Sequence, residues 1–392
     1  MTPLPETLLD AIGLLIRLWL VWVGMRFLVQ SVGLRLQRAW RARRWRPGPG
    51  ANAVQAALDR HLAVAATAGA LAVAIVTPTG ERRCFAVHVD GPDSPAPDAD
   101  TRFEIGSITK TLTATLLVAM QREGRIGLTT PVDNLLPETA RPGLQSPRPM
   151  TLEDLATQHS GLPRLPWGWA MLAGLCLRPR QPYAWISADV LLRWLRGRRG
   201  RRVRRVGRRY RYSNLGFGLL GLVLARHAQC TYEEALRRHV LDPLGMTATG
   251  LPSTTAMSDR PAMPHGPLGF RTPPWNLRAL AAAGGLHSSL DDMVRWLRAN
   301  LDLQAPIDAS LHAPRADIAA GRHIALGWQV SGNGGATVVW HNGATGGSRS
   351  LIAFAPAHGI GVIVMSSQAV AVDALGMSLL QSAVRAASVA SA

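Results

Sequence analysis

The spacing of apolar positions divides the chain into one unbroken apolar stretch, strand-like runs at both ends of the remainder, and helical periodicity between those runs. Residues 8–29 are almost wholly apolar and long enough to cross a bilayer as a helix. Arg46-Pro47-Gly48-Pro49-Gly50 breaks that helix and marks a linker. Beyond it, residues 51–65 read as a helix, and residues 70–77 and 83–89 as two strands joined at Pro78-Thr79-Gly80. Residues 107–121, 187–195 and 215–224 read as helices. Thr151-Leu-Glu-Asp154 has the form of a capping box, and Ser289-Leu-Asp-Asp292 opens a helix running to about residue 301. The tail returns to strands at 324–330, 336–340, 351–355 and 360–365, and ends on a helix over 372–387.

This order predicts a membrane-associated helix and arginine-rich linker over residues 1–50, followed by an α/β domain over 51–392. Its antiparallel sheet is built from both ends of the domain and flanked by helices, with an all-helical insertion over about residues 111–320. No internal repeat is apparent.

Composition changes the picture in two places. The 43 basic and 25 acidic residues give a net charge of +18, unevenly spread. Residues 1–50 hold eight Arg against Glu6 and Asp10, and residues 193–211 hold eleven Arg and no acid. The remainder is close to neutral, so the charge is two local patches, and no nucleic-acid partner is expected. Six of the arginines (Arg35 to Arg46) directly follow the apolar stretch, which by the positive-inside rule holds the rest of the chain in the cytoplasm. Beside the second patch lies an apolar stretch, residues 165–177, too short to span a membrane. Together they suit anionic lipid, with an anionic substrate or a plain solvated loop as the other readings. Cys84, Cys176 and Cys230 are too few and scattered for a disulfide framework and read as buried small hydrophobes.

The second change is chemical. Of the 43 basic residues, 42 are Arg and one is Lys, at position 110. Arg stays protonated in a protein, whereas Lys can lose its proton, so a single Lys points to proton transfer. It lies in Ser107-Ile-Thr-Lys110, and a three-residue spacing puts both side chains on one helix face. A neutral amine there can take the Ser107 proton. Tyr210-Arg-Tyr-Ser-Asn214 offers a second proton carrier, Tyr212, and an amide holder, Asn214, from a loop. His341-Asn-Gly-Ala-Thr-Gly-Gly347 follows a strand, where small residues let a substrate backbone lie close.

At these three places the sequence resembles the penicillin-recognising serine hydrolases, in the branch of class C β-lactamases, esterases and D-amino-acid peptidases. That family carries Ser-x-x-Lys, Tyr-x-Asn and Lys-Thr-Gly in this order. Further landmarks match at 151–163, 241–246 and 282–288. The resemblance implies an acyl-enzyme mechanism with Ser107, Lys110 and Tyr212 catalytic. Asn214, His341, Gly343 and Ala344 would bind substrate, with the N–H groups of Ser107 and Ala344 as oxyanion hole. His341 and Asn342 stand where β-lactamases carry Lys and Thr, which turns the expectation toward an ester or peptide-like amide. A true β-lactamase, a D-amino-acid peptidase and a non-catalytic membrane-surface scaffold are the alternatives. Family members usually act outside the bacterial cytoplasmic membrane, against the positive-inside reading, so the side stays open.

No cofactor is expected. Gly216-Phe-Gly-Leu-Leu-Gly221 matches a dinucleotide fingerprint as text, but it follows a loop and reads as small residues at a helix packing face. There is no Gly-x-Ser-x-Gly elbow and no His-Glu-x-x-His pair, so neither an α/β-hydrolase nor a catalytic metal is expected.

Overall fold

The structure, a computed structural model, describes residues 32, 36, 53–65, 69–88, 97–136, 138, 141, 146, 148–178, 180–197, 203, 206–252 and 261–390. The apolar stretch 8–29, the arginines between 35 and 46, and positions 198–202 and 204–205 of the arginine run lie outside these residues. Among the described residues no helix is long and apolar enough to cross a membrane.

The helices are α1 (Ala53–Ala65), α2 (Thr109–Arg122), α3 (Leu152–Ala156), α4 (Trp169–Leu177), α5 (Ala188–Arg196), α6 (Asn214–His227), α7 (Tyr232–Leu236), α8 (Leu290–Asp302) and α9 (Asp373–Ala390). The strands are β1 (Gly69–Thr77), β2 (Gly80–His88), β3 (Phe103–Glu104), β4 (His287–Ser288), β5 (Ala316–Ala319), β6 (Arg322–Ile324), β7 (Gln329–Ser331), β8 (Val338–Ala344), β9 (Arg349–Ala355) and β10 (Ile360–Ser366). Eight of them form one sheet in the order β2-β1-β10-β9-β8-β7-β6-β5, and β3 pairs with β4 alone. Every neighbouring pair in the large sheet is antiparallel.

The sheet joins both ends of the domain because β1 lies against β10, from Leu71 opposite Ser366 to Val76 opposite Gly361. Strand alternation then divides each central strand between two cores. On β1, Ala70, Ala72, Ala74 and Val76 face the large core, while Leu71, Val73 and Ile75 face a smaller one completed by Leu58 of α1 and Leu379 and Leu380 of α9. This is why β1 reads as a continuous apolar run. The large core holds α2, α6 and α8.

Helix α2 is unusual in being buried from Thr109 to Met120 although four of those residues are Thr. β-Branched hydroxyl residues are poor helix formers. Here each buried hydroxyl is satisfied: Thr109 accepts from Leu286 N (3.2 Å), Thr111 donates to Ile108 O (2.8 Å), Thr113 to Thr109 O (3.0 Å) and Thr115 to Thr111 O (3.0 Å). Capping follows the expected chemistry elsewhere. Thr151 and Asp154 close a capping box on α3, and Ser187, Ser213 and Ser289 accept from backbone N–H groups at the starts of α5, α6 and α8.

Three expectations need correction. The run 324–330 is not one strand: β6 ends at Ile324, the chain turns, and β7 starts at Gln329. Gly327 makes the turn at φ +73°, and a Cβ there would lie 2.7 Å from Lys110 O. The region read as all-helical also carries β4 and β5, the latter an edge strand of the sheet. The cysteines are not buried: Cys176 is exposed, and Cys84 and Cys230 are half-buried. The glycines of 216–221 do serve packing. A Cβ at Gly218 would meet Ala279 O at 2.8 Å and one at Gly221 the Ala282 Cβ at 2.3 Å, so they seat α6 against the 3-10 turn Arg278–Ala283.

The seam between the sheet and the start of α2 is equally tight. A Cβ on Gly343 would lie 2.0 Å from Ile105 O and 2.2 Å from Ser350 Oγ. Gly343→Ala is therefore expected to destabilise the domain by ~1–3 kcal/mol in urea unfolding. Gly335→Ala, where a Cβ meets nothing within 4 Å, stays within about 0.5 kcal/mol of the parent.

Candidate active site

Ser107 sits in the 3-10 turn Gly106–Ile108 that runs directly into α2, at the positive end of the helix. Gly106 has φ +50°, which a glycine adopts without strain. One turn on, Lys110 is fully buried at 0% exposure. Its Nζ lies 3.0 Å from Ser107 Oγ and 2.9 Å from Asn214 Oδ1, and also donates to Ala283 O. No carboxylate is among these partners. Burial, reinforced by the positive charge of Arg164, holds the Lys110 amine well below the usual lysine range. The rings of Tyr212 and Phe217 lie 4.8 and 5.6 Å from Nζ and help keep water out.

Tyr212 donates from Oη to Ser107 Oγ at 2.6 Å. Burial raises its phenol above the ordinary value, opposed by that hydrogen bond and by Arg164. The short segment carrying it is fixed from both sides. Gln158, buried and left-handed at φ 63°, accepts from Ser213 N through Oε1 (2.7 Å) and from Arg211 N through its carbonyl (2.8 Å). Ser213 Oγ donates to Pro163 O at 2.7 Å, and Asn214 N donates to Arg164 O at 3.1 Å. Tyr212 is on a loop as expected, whereas Asn214 is the first residue of α6. The structure thus brings Ser107, Lys110, Tyr212 and Asn214 together around one hydroxyl.

The third segment forms the end of β8. Strand β7 pairs only with Val338, Val339 and Trp340, so among the described residues His341 to Ala344 pair on the β9 side alone. That leaves one edge of the strand open beside Ser107. Ala344 N is close to this point, since a Cβ on Gly106 would lie 2.6 Å from it. What approaches the Gly343 α-carbon is the protein's own Ile105 carbonyl. His341 is 3% exposed, and its Nδ1 is 2.7 Å from Asn342 O, a carbonyl that can only accept. The proton therefore sits on Nδ1 and Nε2 carries the lone pair. Burial, with the Lys110 charge adding to it, lowers His341 to about 3. It is neutral near pH 7, where an imidazole in water is partly charged. Asn342 points the other way and donates to Asp373 Oδ1 of α9 at 2.6 Å.

One residue escapes sequence reasoning. Glu104, 4% exposed, accepts from Trp275 N (2.8 Å), Thr345 Oγ1 (2.8 Å) and Ser348 Oγ (3.0 Å). Burial raises its carboxyl, and these bonds oppose the shift. It ties the turn after β8 to the strand before Ser107. The available signal was an acid set between Phe103 and Ile105, just before Ser107.

The cluster provides a hydroxyl with two proton carriers, a positioned amide, and backbone N–H groups at a helix start and a strand edge. Such a set can form and break an acyl bond at Ser107. Among the described residues no three His, Cys, Asp or Glu side chains are grouped to hold a metal ion.

Comparison with known proteins adds an independent view. Residues 54–383 match the family model described as Beta-lactamase. The chain is 30% identical over 235 residues to the D-alanyl-D-alanine-carboxypeptidase/endopeptidase AmpH of Escherichia coli, covering 59% of this chain and 57% of that protein. It is 27% identical over 232 residues to a Beta-lactamase of Providencia stuartii, covering 58% and 54%. The chain thus spans a little over half the length of these curated relatives. Among solved structures, a class C β-lactamase from Rhodobacter sphaeroides matches with a TM-score of 0.68 at 23% identity, over 82% of this chain and 95% of that one. An octameric penicillin-binding protein homologue from Pyrococcus abyssi matches at 0.68 and 22%, over 80% and 73%. At these identities the structures establish the fold.

With its folded value near 3, His341 is expected to show no titration between pH 5 and 8 in ring nitrogen–proton correlation spectra. A midpoint inside that range would contradict the burial argument.

Proposed function

The chain belongs to the β-lactamase family, and from that membership we propose a serine hydrolase that works through an acyl-enzyme at Ser107 on an ester or peptide-like amide. The observation that carries this is the chain's single lysine, buried and 3.0 Å from Ser107 Oγ, with no carboxylate among its hydrogen-bond partners.

The amine is the better base of the two candidates, because burial lowers Lys110 and raises Tyr212. Lys110 takes the hydroxyl proton as Ser107 Oγ bonds to the substrate carbonyl carbon. The N–H groups of Ser107 and Ala344 hold the oxygen that becomes negative, a contribution of about 3–4 kcal/mol per donor in comparable sites. Tyr212 passes the proton to the leaving oxygen or nitrogen as that bond breaks. Water then attacks the acyl-enzyme, gives up a proton to the same pair, and releases the acid and Ser107. Asn214 holds the amine and an amide of the substrate, whose backbone lies along the open edge of β8.

The substrate preference follows from His341. A neutral ring at that position supplies no fixed cation for a substrate carboxylate. Peptides ending in a D-amino acid are the second reading, favoured by the name of the Escherichia coli relative. Arg164, whose guanidinium carbon lies 5.5 Å from the Tyr212 ring centre, is a cation beside the cleft that can hold their carboxylate. Residues 8–29 act in this reading as an anchor in the bacterial cytoplasmic membrane, and a reporter fused at the C terminus distinguishes the two sides.

Four outcomes are expected. A fluorophosphonate adds one adduct by intact mass, lost in Ser107→Ala; equal labelling of that variant would refute the assignment. Lys110→Ala lowers kcat by on the order of 10²–10⁴-fold, and a small alkylamine restores part of it. In a screen of p-nitrophenyl esters, D-amino-acid peptides and nitrocefin, esters turn over fastest. The acid limb of kcat/KM reports the free enzyme's base, so activity rises with pH through the lowered Lys110 value.

A further inference from the structure

Helix α4 is held to the domain by few groups. Met171 is 2% exposed, and Gly174 packs so closely that a Cβ would lie 2.2 Å from Pro182 O. The other side of the helix faces outward. Leu172, Leu175 and Cys176 fall at i, i+3 and i+4 on one stripe, and all three are exposed. Leu177 is 69% exposed, and Trp167 and Trp185 on either side of the helix in sequence are 48% and 44% exposed. Large apolar side chains gathered outward in this way mark an interaction surface.

Charge indicates what that surface meets. Between residues 155 and 213 the chain has fourteen Arg and one acid, Asp189. Arg178 and Arg180 follow α4 directly, and Arg193 and Arg196 stand one turn apart on α5, all four exposed. The Trp194 indole between the latter pair donates to Trp167 O at 3.0 Å, so the arginines of α5 adjoin the tryptophan before α4. Trp167 is three residues from Arg164, which stands over the Tyr212 ring. The apolar stripe and its cationic border thus lie beside the cleft. Exposed leucine and tryptophan suit the acyl boundary of a bilayer, and arginine suits anionic headgroups.

We propose that the α4 face, with Arg178, Arg180, Arg193 and Arg196, docks on an anionic bilayer surface and turns the Ser107 cleft toward the membrane. The surface is separate from the chemistry at Ser107, and its test does not use turnover.

The test uses the full chain, reconstituted in vesicles of phosphatidylcholine alone or with equimolar phosphatidylglycerol. A Cys84→Ala, Cys230→Ala variant carries an environment-sensitive fluorophore on Cys176. In the anionic vesicles the emission shifts to the blue and a doxyl group on the lipid chains quenches it; both effects fade at high salt. Arg193→Gln and Arg196→Gln each lower the ratio of docked to undocked protein about fivefold, the equivalent of ~1 kcal/mol. Leu172→Asp abolishes quenching, and an unchanged thermal midpoint separates this from misfolding. A label equally exposed in both vesicle types overturns the proposal and leaves residues 8–29 as the sole attachment. So does a label buried in solution by a concentration-dependent dimer that Leu172→Asp disperses, which makes the face a contact between copies.

Discussion

A primary amine taken out of water loses solvation that only its charged form needs, so burial alone moves it toward neutrality. The domain applies that constraint to one side chain from every direction. Below Lys110, the turn at Gly327 presses on its own carbonyl. Beside it stand the rings of Tyr212 and Phe217. Above it, Ala283 O and Asn214 Oδ1 accept from its two N–H groups, and Ser107 Oγ lies 3.0 Å away, where its hydroxyl can donate to the lone pair of the neutral amine. These acceptors are neutral, so they satisfy the nitrogen without supplying the negative charge that would keep it protonated.

Keeping those partners in place requires the sheet and the helical half to meet without a gap. Two glycines make that possible: Gly106 before the serine faces the backbone of Ala344, and Gly343 on β8 faces the carbonyl of Ile105, both at distances where a Cβ would collide. Polar groups trapped in the same seam are satisfied. Ser350 Oγ donates to Ile105 O at 2.8 Å, and Glu104 collects three donors from the turn after β8 and from Trp275. An unsatisfied carboxyl there would cost several kcal/mol, so the network and the close approach depend on each other. The landmark Thr157-Gln-His-Ser160 has a similar role, since Gln158 grips the segment leading to Tyr212 at two points.

The outward side of the helical half is built differently. The segment from Pro163 to Trp167 lies between the buried cluster and the exposed stripe of α4: its Arg164 carbonyl fixes Asn214, and its Trp167 carbonyl takes the Trp194 indole. A short stretch of backbone thereby couples the cleft to a surface whose leucines and arginines face solvent.

Local chemistry made much of this legible. Apolar alternation and turn residues located β1, β2, β9 and β10, capping residues opened α3 and α8, and one Lys among 42 Arg singled out position 110. Those are properties of neighbouring residues, which a linear sequence records directly. What it did not record depended on atoms far apart in the chain. The run 324–330 split into β6 and β7 because Gly327 had to fit against Lys110 O. His341 became neutral because its surroundings, assembled from distant segments, exclude water. Glu104 gained its partners from residues 171 to 244 positions away. Neighbouring residues thus encode most of the elements, and the residue types show which side chains are able to exchange protons. The tertiary structure alone decided their solvation and their distances, because both are set by long-range contacts that no local pattern encodes.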